Sequence, residues 1–331
     1  TQSCSVDPSS FHVGSTMLQI QSVSGEVLDT IDLARFLEEL GSESFPVRVL
    51  KQRLSSLCGM PRFRQRLVFL DGAAVDDEST LRPGEAQLVL LNFSSATDAQ
   101  IKELQHVADK GLISDVENIL QRPQDPDLGH PAPLWVASAR GHVETVRLLL
   151  EAGADKNKAE QDGTTPLFVA SQQGQLEVAR LLLESEADQD KARNDDIGPL
   201  FIAAQQGHVE VARILLAAEA DKNKAAGTGA ITPLYSAAYE GQLEVARLLL
   251  EAKADKDKAV DNGDTPLCAA AYRGQLEVAR LLLEAKADAD KANHSGATPL
   301  SLAVERGHFE LVHFLRPTTK TESSSRTFCF P

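Results

Sequence analysis

The amino-acid sequence predicts a mainly α fold: a solenoid of helix-turn-helix repeats, preceded by a small α+β domain. Three observations predict it. The dipeptide Pro-Leu recurs at Pro133, Pro166, Pro199, Pro233, Pro266 and Pro299, spaced by 33, 33, 34, 33 and 33 residues, and a fixed period of that length marks stacked supersecondary units. Eight residues after each Pro comes a glycine (Gly141, Gly174, Gly207, Gly241, Gly274, Gly307), followed by a Leu-rich string such as Leu176–Glu184. Residues 17–93 show strand-like alternation instead.

Within that small domain, residues 17–22 alternate as a strand, Ser24-Gly25 offers a turn, and Val27, Leu28 and Ile31 begin a second strand. Val47, Leu50, Leu54 and Leu57 have helical spacing. Arg66–Leu70, an Asp71-Gly72 turn and a last strand over 87–91 complete a ββαββ order. Residues 1–16 are expected to be a flexible N-terminus.

Residues 94–125 read as a linker and a degenerate capping repeat, in which Leu104, Val107, Ala108, Gly111, Val116, Ile119 and Leu120 keep a helix-Gly-helix pattern. Six full repeats are expected over 126–317. In each, a helix opens with Pro at its first position, where no amide donor is needed. Thr165, Thr232, Thr265 and Thr298 are placed to cap it. The glycine then takes the left-handed conformation that stops the helix. In the second helix Glu177, Arg180 and Glu184 make one narrow polar stripe, and the rest is Leu, Val or Ala. A helix of that kind must be covered on its flanks by neighbours. Arg316-Pro317 ends the last repeat, and the Ser/Thr-rich tail 318–331 is expected to be disordered.

These strings resemble the ankyrin repeat, with its Gly-x-Thr-Pro-Leu, Ala-Ala-x-x-Gly-His and Leu-Leu-Leu-x-x-Gly-Ala-Asp elements, over residues 98–317. The resemblance implies stacked helix pairs with projecting hairpins that bind protein through a concave face. Two departures stand out. The residue after Pro-Leu, commonly His in the family, is here Trp135, Phe168, Phe201, Tyr235, Cys268 or Ser301, so packing is expected to replace its hydrogen bonding. The glycine that ends the second helix survives only as Gly153, and elsewhere is Glu186, Glu219, Lys253 or Lys286. Each of these should cost about 1 kcal/mol where the backbone needs a positive φ. The repeat with Asp196-Ile197-Gly198, which lacks the Thr cap, and the one with the Gly227-Thr228-Gly229 insertion are the expected flexible points.

The small domain is similar to a ubiquitin-like fold, on the strings Gln65–Phe69, Ser79-Thr80-Leu81 and Leu88-Val89-Leu90, with Asp32–Pro46 as an insertion. Phe93-Ser94-Ser95 stands where a conjugating Gly-Gly would, which excludes a modifier. The resemblance implies an apolar partner patch at Val23, Val68 and Val89, against which ordinary core or edge packing is an equal alternative.

For the repeats, the resemblance places contact positions at the hairpin tips and at the two residues before each helix-ending glycine. The pairs are Ala139-Arg140, Gln172-Gln173, Gln205-Gln206, Tyr239-Glu240, Tyr272-Arg273 and Glu305-Arg306. They vary while the scaffold repeats. Tyr239, Tyr272 and Arg273 are the preferred hot spot, since Tyr and Arg anchor interfaces; covering the neighbouring hairpin is the plainer alternative. The tips Asp155–Lys158 and Asp255–Lys258 alternate in charge and read as solubilising.

A net charge of −15 disfavours nucleic acid. One local run is basic: Arg48, Lys51, Arg53, Arg62, Arg64 and Arg66, with no acid between residues 48 and 70. It reads either as a solvated helix face and Arg-rich loop, or as a docking patch for an acidic partner, including the acidic repeats themselves. Nucleic acid is the remote third reading, because only Phe63 interleaves.

The four cysteines, Cys4, Cys58, Cys268 and Cys329, form no CxxC pair, which predicts neither a disulfide framework nor a zinc site and points to a reducing compartment. Asn92 and Asn293 begin chance glycosylation sequons. No apolar run is long enough to span a bilayer. Thr1-Gln2-Ser3-Cys4 shows no signal peptide, and without Met it leaves the true start open. Cys329-Phe330-Pro331 is too short for prenylation. No nucleophile set, phosphate loop or HExxH is present; Asp188 and Asp190 lack the rest of a calcium loop; His142, His208 and His308 follow the repeat glycine as structural residues.

The expectation is therefore a non-enzymatic, cofactor-free and metal-free scaffold. It is monomeric, cytoplasmic with the nucleus as alternative, and binds a protein partner rather than nucleic acid or membrane. A ubiquitin-pathway adaptor is the second reading, and a regulatory fragment of a larger enzyme the third.

Overall fold

The computed structural model describes residues 17–40, 45–77, 79–122 and 124–316. The expectations for 1–16, Pro317 and 318–331 lie outside the described residues. Two compact units form. One runs to Leu134 and takes in Glu144–Asp155; the other holds Trp135–Val143 and the described residues from Lys156 onward.

In the first unit, strands β1 (Met17–Ser22), β2 (Val27–Asp32), β3 (Gln65–Phe69), β4 (Ala74–Val75) and β5 (Gly84–Leu90) make one mixed sheet. Its order is β2-β1-β5-β3-β4, with β1 and β5 parallel and the other pairs antiparallel. Helix α1 (Leu33–Leu40) occupies the stretch read as an insertion, and α2 (Pro46–Cys58) is the helix seen in the spacing of Val47, Leu50 and Leu54, all fully buried. Leu57 breaks the expected stripe at 55% exposure, because α2 ends one residue later, at Cys58, and Gly59 then takes a φ of +66°. Leu18, Ile20, Leu67 and Leu88 close the core against α2.

The capping repeat is the predicted helix-Gly-helix: α3 (Asp98–Lys110) with a Thr97 capping box, Gly111 in the left-handed region, then α4 (Ile113–Leu120). Six Pro-Leu pairs follow in sequence: α5 (Pro133–Arg140) and α6 (Val143–Glu151), α7 (Pro166–Gln173) and α8 (Leu176–Glu184), α9 (Pro199–Gln206) and α10 (Val209–Ala217), α11 (Pro233–Glu240) and α12 (Leu243–Glu251), α13 (Pro266–Arg273) and α14 (Leu276–Glu284), α15 (Pro299–Glu305) and α16 (Phe309–Leu315). In the second unit α7, α9, α11, α13 and α15 pack side by side in sequence order, and α8, α10, α12, α14 and α16 form a parallel row.

Each predicted cap is made. Thr165, Thr232, Thr265 and Thr298 accept from the amide three residues on, and Gly198, lacking a side chain, does not. On the second helices Val178, Ala179 and Leu182 are buried, while Glu177 and Arg180 pair on the surface at 3.5 Å. Glu186, Glu219, Lys253 and Lys286 all take φ between +61° and +64°, so the left-handed turn persists where glycine has been replaced. Asp196 and Ala230 are likewise left-handed, at the two hairpins that depart from the pattern.

The tips read as solubilising have a structural task as well. Asn157 Oδ1 accepts from the Asp188 amide at 2.9 Å, and Asn157 O accepts from Lys191 Nζ at 2.8 Å. Asn223 does the same for Asp255 and Lys258. Each tip thus supplies acceptors to the next repeat, about one hydrogen-bonded rung at a time.

Candidate functional site

The basic run of the first unit is only partly solvated: Lys51 and Arg62 are buried, whereas Arg53 and Arg66 are exposed. Arg62, at 1% exposure, donates from Nη1 to Asp77 (2.6 Å), from Nη2 to Glu117 of α4 (3.1 Å) and from Nε to Glu151 of α6 (2.8 Å). Its guanidinium lies 3.8 Å from the centre of the Phe63 ring. Lys51, also buried, meets Asp77 at 2.6 Å, and Arg48 pairs with Glu117. Burial alone would favour the neutral Asp77 carboxyl; the Lys51 hydrogen bond and charge, helped by Gln121 and Arg62, overcome that and hold its pKa below the ordinary 3.8. Arg48 and Arg62 follow the second of the two main readings, with the acidic repeats as the partner: Glu117 and Glu151 belong to the capping repeat and the first full repeat. Arg53 pairs with Asp29, Arg64 donates to Leu91 O, and Arg66 stays exposed. Nothing in the sequence singles out Asp77, Glu117 or Glu151.

Val68 and Val89 stand on the sheet face turned away from α2, since their neighbours Leu67 and Leu88 point into the core. Val23, 68% exposed, lies beyond the end of β1. Val23 and Val89 share a shallow groove with Leu28, Cys58 and Leu90. Val68 does not line it.

The paired contact positions close the first helix of every repeat. In the second unit they form two rows, an inner half-buried one (Ala139, Gln172, Gln205, Tyr239, Tyr272) and an outer exposed one (Arg140, Gln173, Gln206, Glu240, Arg273, Arg306); Glu305 continues the inner row but is exposed. The rows are registered by the residue after each glycine. His208 Nε2 lies 3.0 Å from Gln172 O and His308 Nε2 3.0 Å from Tyr272 O, while Gln175 and Gln242 donate to Ala139 O and Gln205 O. Gly174 makes the approach feasible: a Cβ there would stand 2.7 Å from His208. His208 and His308 therefore hold the backbone of the contact positions, as structural residues.

The expected hot spot comes together. The rings of Tyr239 and Tyr272 stack with centroids 6.3 Å apart and planes 17° apart. Arg273 lies over Tyr239 at 4.7 Å, and Arg306 over Tyr272 at 3.9 Å, where it also donates to the Tyr272 hydroxyl. Tyrosine and guanidinium alternate across three repeats. Tyr235, one turn before Tyr239 on α11, completes a cluster of all three tyrosines of the chain. Burial first, then the nearby Asp264 charge, pushes its phenol up to about 12. The position was visible as a His replacement, but its membership in the cluster depends on α11 and α13 being adjacent.

Packing does replace that lost histidine at Phe168, which is fully buried, and Trp135 adds a hydrogen bond from Nε1 to Thr164 Oγ1 at 3.1 Å. Among the described residues no group of three or more His, Cys, Asp or Glu could hold a metal ion, and no helix is long and apolar enough to cross a membrane. No curated relative matches the sequence. A family model described as "Ankyrin repeats (3 copies)" matches residues 104–195, 186–260 and 253–324. That match spans more than half of the chain and coincides with the helix pairs, their glycine stops and their interlocking tips: the chain belongs to the ankyrin-repeat family.

Proposed function

We propose that this protein is a non-enzymatic interaction scaffold that binds a protein segment across the ends of its first helices, the face through which the ankyrin repeat resemblance implies recognition. One observation carries the reading. The scaffold positions repeat and satisfy one another, whereas the variable contact positions bring Tyr239, Tyr272, Arg273 and Arg306 into one ladder, its tyrosines half-buried and its arginines exposed. Tyr and Arg supply large contact area at low cost in side-chain freedom, which suits them to anchor an interface. Residues 126–317 are the binding array and 17–93 a separate functional module, acting in the cytoplasm or nucleus. Affinity capture with the intact protein beside a Tyr239→Ala/Tyr272→Ala variant tests this. The expected result is loss of the main partners, and an unchanged partner set would refute the site.

A second reading has its own support. The strand order β2-β1-β5-β3-β4 around a parallel central pair is the arrangement a ubiquitin-like fold requires, and Val68 and Val89 lie on its outward face. The module would then dock a ubiquitin-pathway receptor while the repeats select a client. Val68→Asp should abolish capture of such a receptor; its retention would remove this reading.

A further inference from the structure

Resting on the scaffold reading above, we propose the chemistry of the partner: an extended peptide segment. Its main chain is held by the amides of Gln172, Gln173, Gln205 and Gln206, and its acidic side chains, three residues apart, are held by Arg273 and Arg306.

The contrast between groups that have a partner within the chain and groups that lack one points there. Each second-helix arginine of the complete repeats has a carboxylate three residues before it: Arg147 with Glu144, Arg180 with Glu177, Arg213 with Glu210, Arg247 with Glu244 and Arg280 with Glu277. Arg273 and Arg306 have no carboxylate partner among the described residues, in a chain with 48 acidic and 33 basic side chains. Their guanidinium faces rest on tyrosine rings, which fixes their orientation and leaves N–H edges for an incoming carboxylate. Holding those side chains in place beforehand lowers the entropy lost on binding.

The glutamines divide the same way. Gln175 and Gln242 donate to backbone carbonyls of the preceding repeat. The side-chain amides of Gln172, Gln173, Gln205 and Gln206 make no hydrogen bond among the described residues. A carboxamide offers two donors and an acceptor, the complement of a peptide unit, so this quartet can hold a main chain whatever its sequence.

Spacing sets the pattern. Packed helices lie about 8–10 Å apart, and an extended chain in the polyproline II conformation advances about 3.1 Å per residue and returns the same face every third residue, so about three residues cross each repeat. Arg273 and Arg306, one repeat apart, therefore select acidic residues at i and i+3. Glu240, one repeat earlier in the outer row, favours a basic residue one further step along.

Selection from a random dodecapeptide display library on the intact protein tests this, beside Arg273→Gln/Arg306→Gln and Gln172→Ala/Gln205→Ala variants whose melting temperatures are checked first. The wild type should enrich peptides with acidic residues three apart. The arginine variant should lose that preference. The glutamine variant should weaken all selected peptides alike, by about tenfold, without altering it. Enrichment of neutral or basic peptides, an acidic preference that survives loss of both arginines, or no enrichment at all overturns the proposal. Selected peptides that depend on Tyr239 and Tyr272 but carry no acidic pattern would sink this inference alone. Selected peptides indifferent to both tyrosines would sink the scaffold site itself.

Discussion

Pro61 sits directly against Gly153: a Cβ built on that glycine would stand 2.8 Å from the proline Cγ. Gly153 also has a φ of +88°, the same left-handed turn that Glu186, Glu219, Lys253 and Lys286 make with side chains. Backbone strain therefore does not explain why glycine persists at this repeat alone. The neighbour does. Pro61 precedes Arg62, so the tight approach and the buried ion cluster are two parts of one contact between the small domain and the first repeat.

Gly153→Ala should lose about 1–2 kcal/mol from the backbone and about 1–3 kcal/mol more from crowding Pro61. In a Pro61→Ala background only the backbone part should remain. Urea denaturation of the four proteins closes the cycle; equal losses in both backgrounds would show that Pro61 does not crowd the site.

Arg62→Met should destabilise the first unit by about 3–5 kcal/mol, because it strands carboxylates that the guanidinium now satisfies. Hydrogen exchange should quicken together in β3, α4 and α6. Exchange rising in β3 alone would mean that the contact holds nothing beyond the small domain.

Asp77 gives that contact a pH dependence. Its folded pKa lies below 3.8, so its contribution is complete above the ordinary aspartate value and drains away as pH falls through the folded one. Acid denaturation of the wild type should therefore steepen below pH ~4, and Asp77→Asn should flatten that limb. An identical acid limb in the variant would contradict the assignment.

Replacing Glu186, Glu219, Lys253 and Lys286 by Gly should stabilise the repeats, since an L side chain in the left-handed region costs about 1–2 kcal/mol and glycine returns only part of that as chain entropy. The quadruple variant should melt several degrees higher in a thermal scan. A lower melting temperature would mean that those side chains form contacts outweighing the strain.

Tyr235 should ionise late, above the range of an unfolded phenol. Its phenol is neutral in the fold up to about 12, whereas an unfolded phenol ionises near pH ~10. Its contribution is thus full below the unfolded value and lost as pH rises between the two. Ultraviolet titration should show a late tyrosinate step, and Tyr235→Phe should remove it; a late step that survives in the variant would contradict the assignment.

Much of the array was legible because each of its signals is local and repeated. A Thr-Pro pair caps the next three residues, a glycine stops a helix within one turn, and a Leu-rich string with one polar stripe needs neighbours. The positive φ at Glu186 and its counterparts followed from comparing one repeat with another. Helix α1 and the two-residue β4 were missed in the small domain, where no second copy offers a comparison.

The sequence by itself determined the class of fold, the repeat boundaries, the caps and the identity of the variable positions, because those depend on residues within one repeat period. Tertiary structure decided which variable residues meet. Tyr239 and Tyr272 are 33 positions apart and stack because α11 and α13 are neighbours, and Arg62 finds Glu117 and Glu151 across 55 and 89 residues of chain. Charge pairing at that range leaves no periodic trace in a sequence, since any one of many carboxylates could have served until packing brought these within reach.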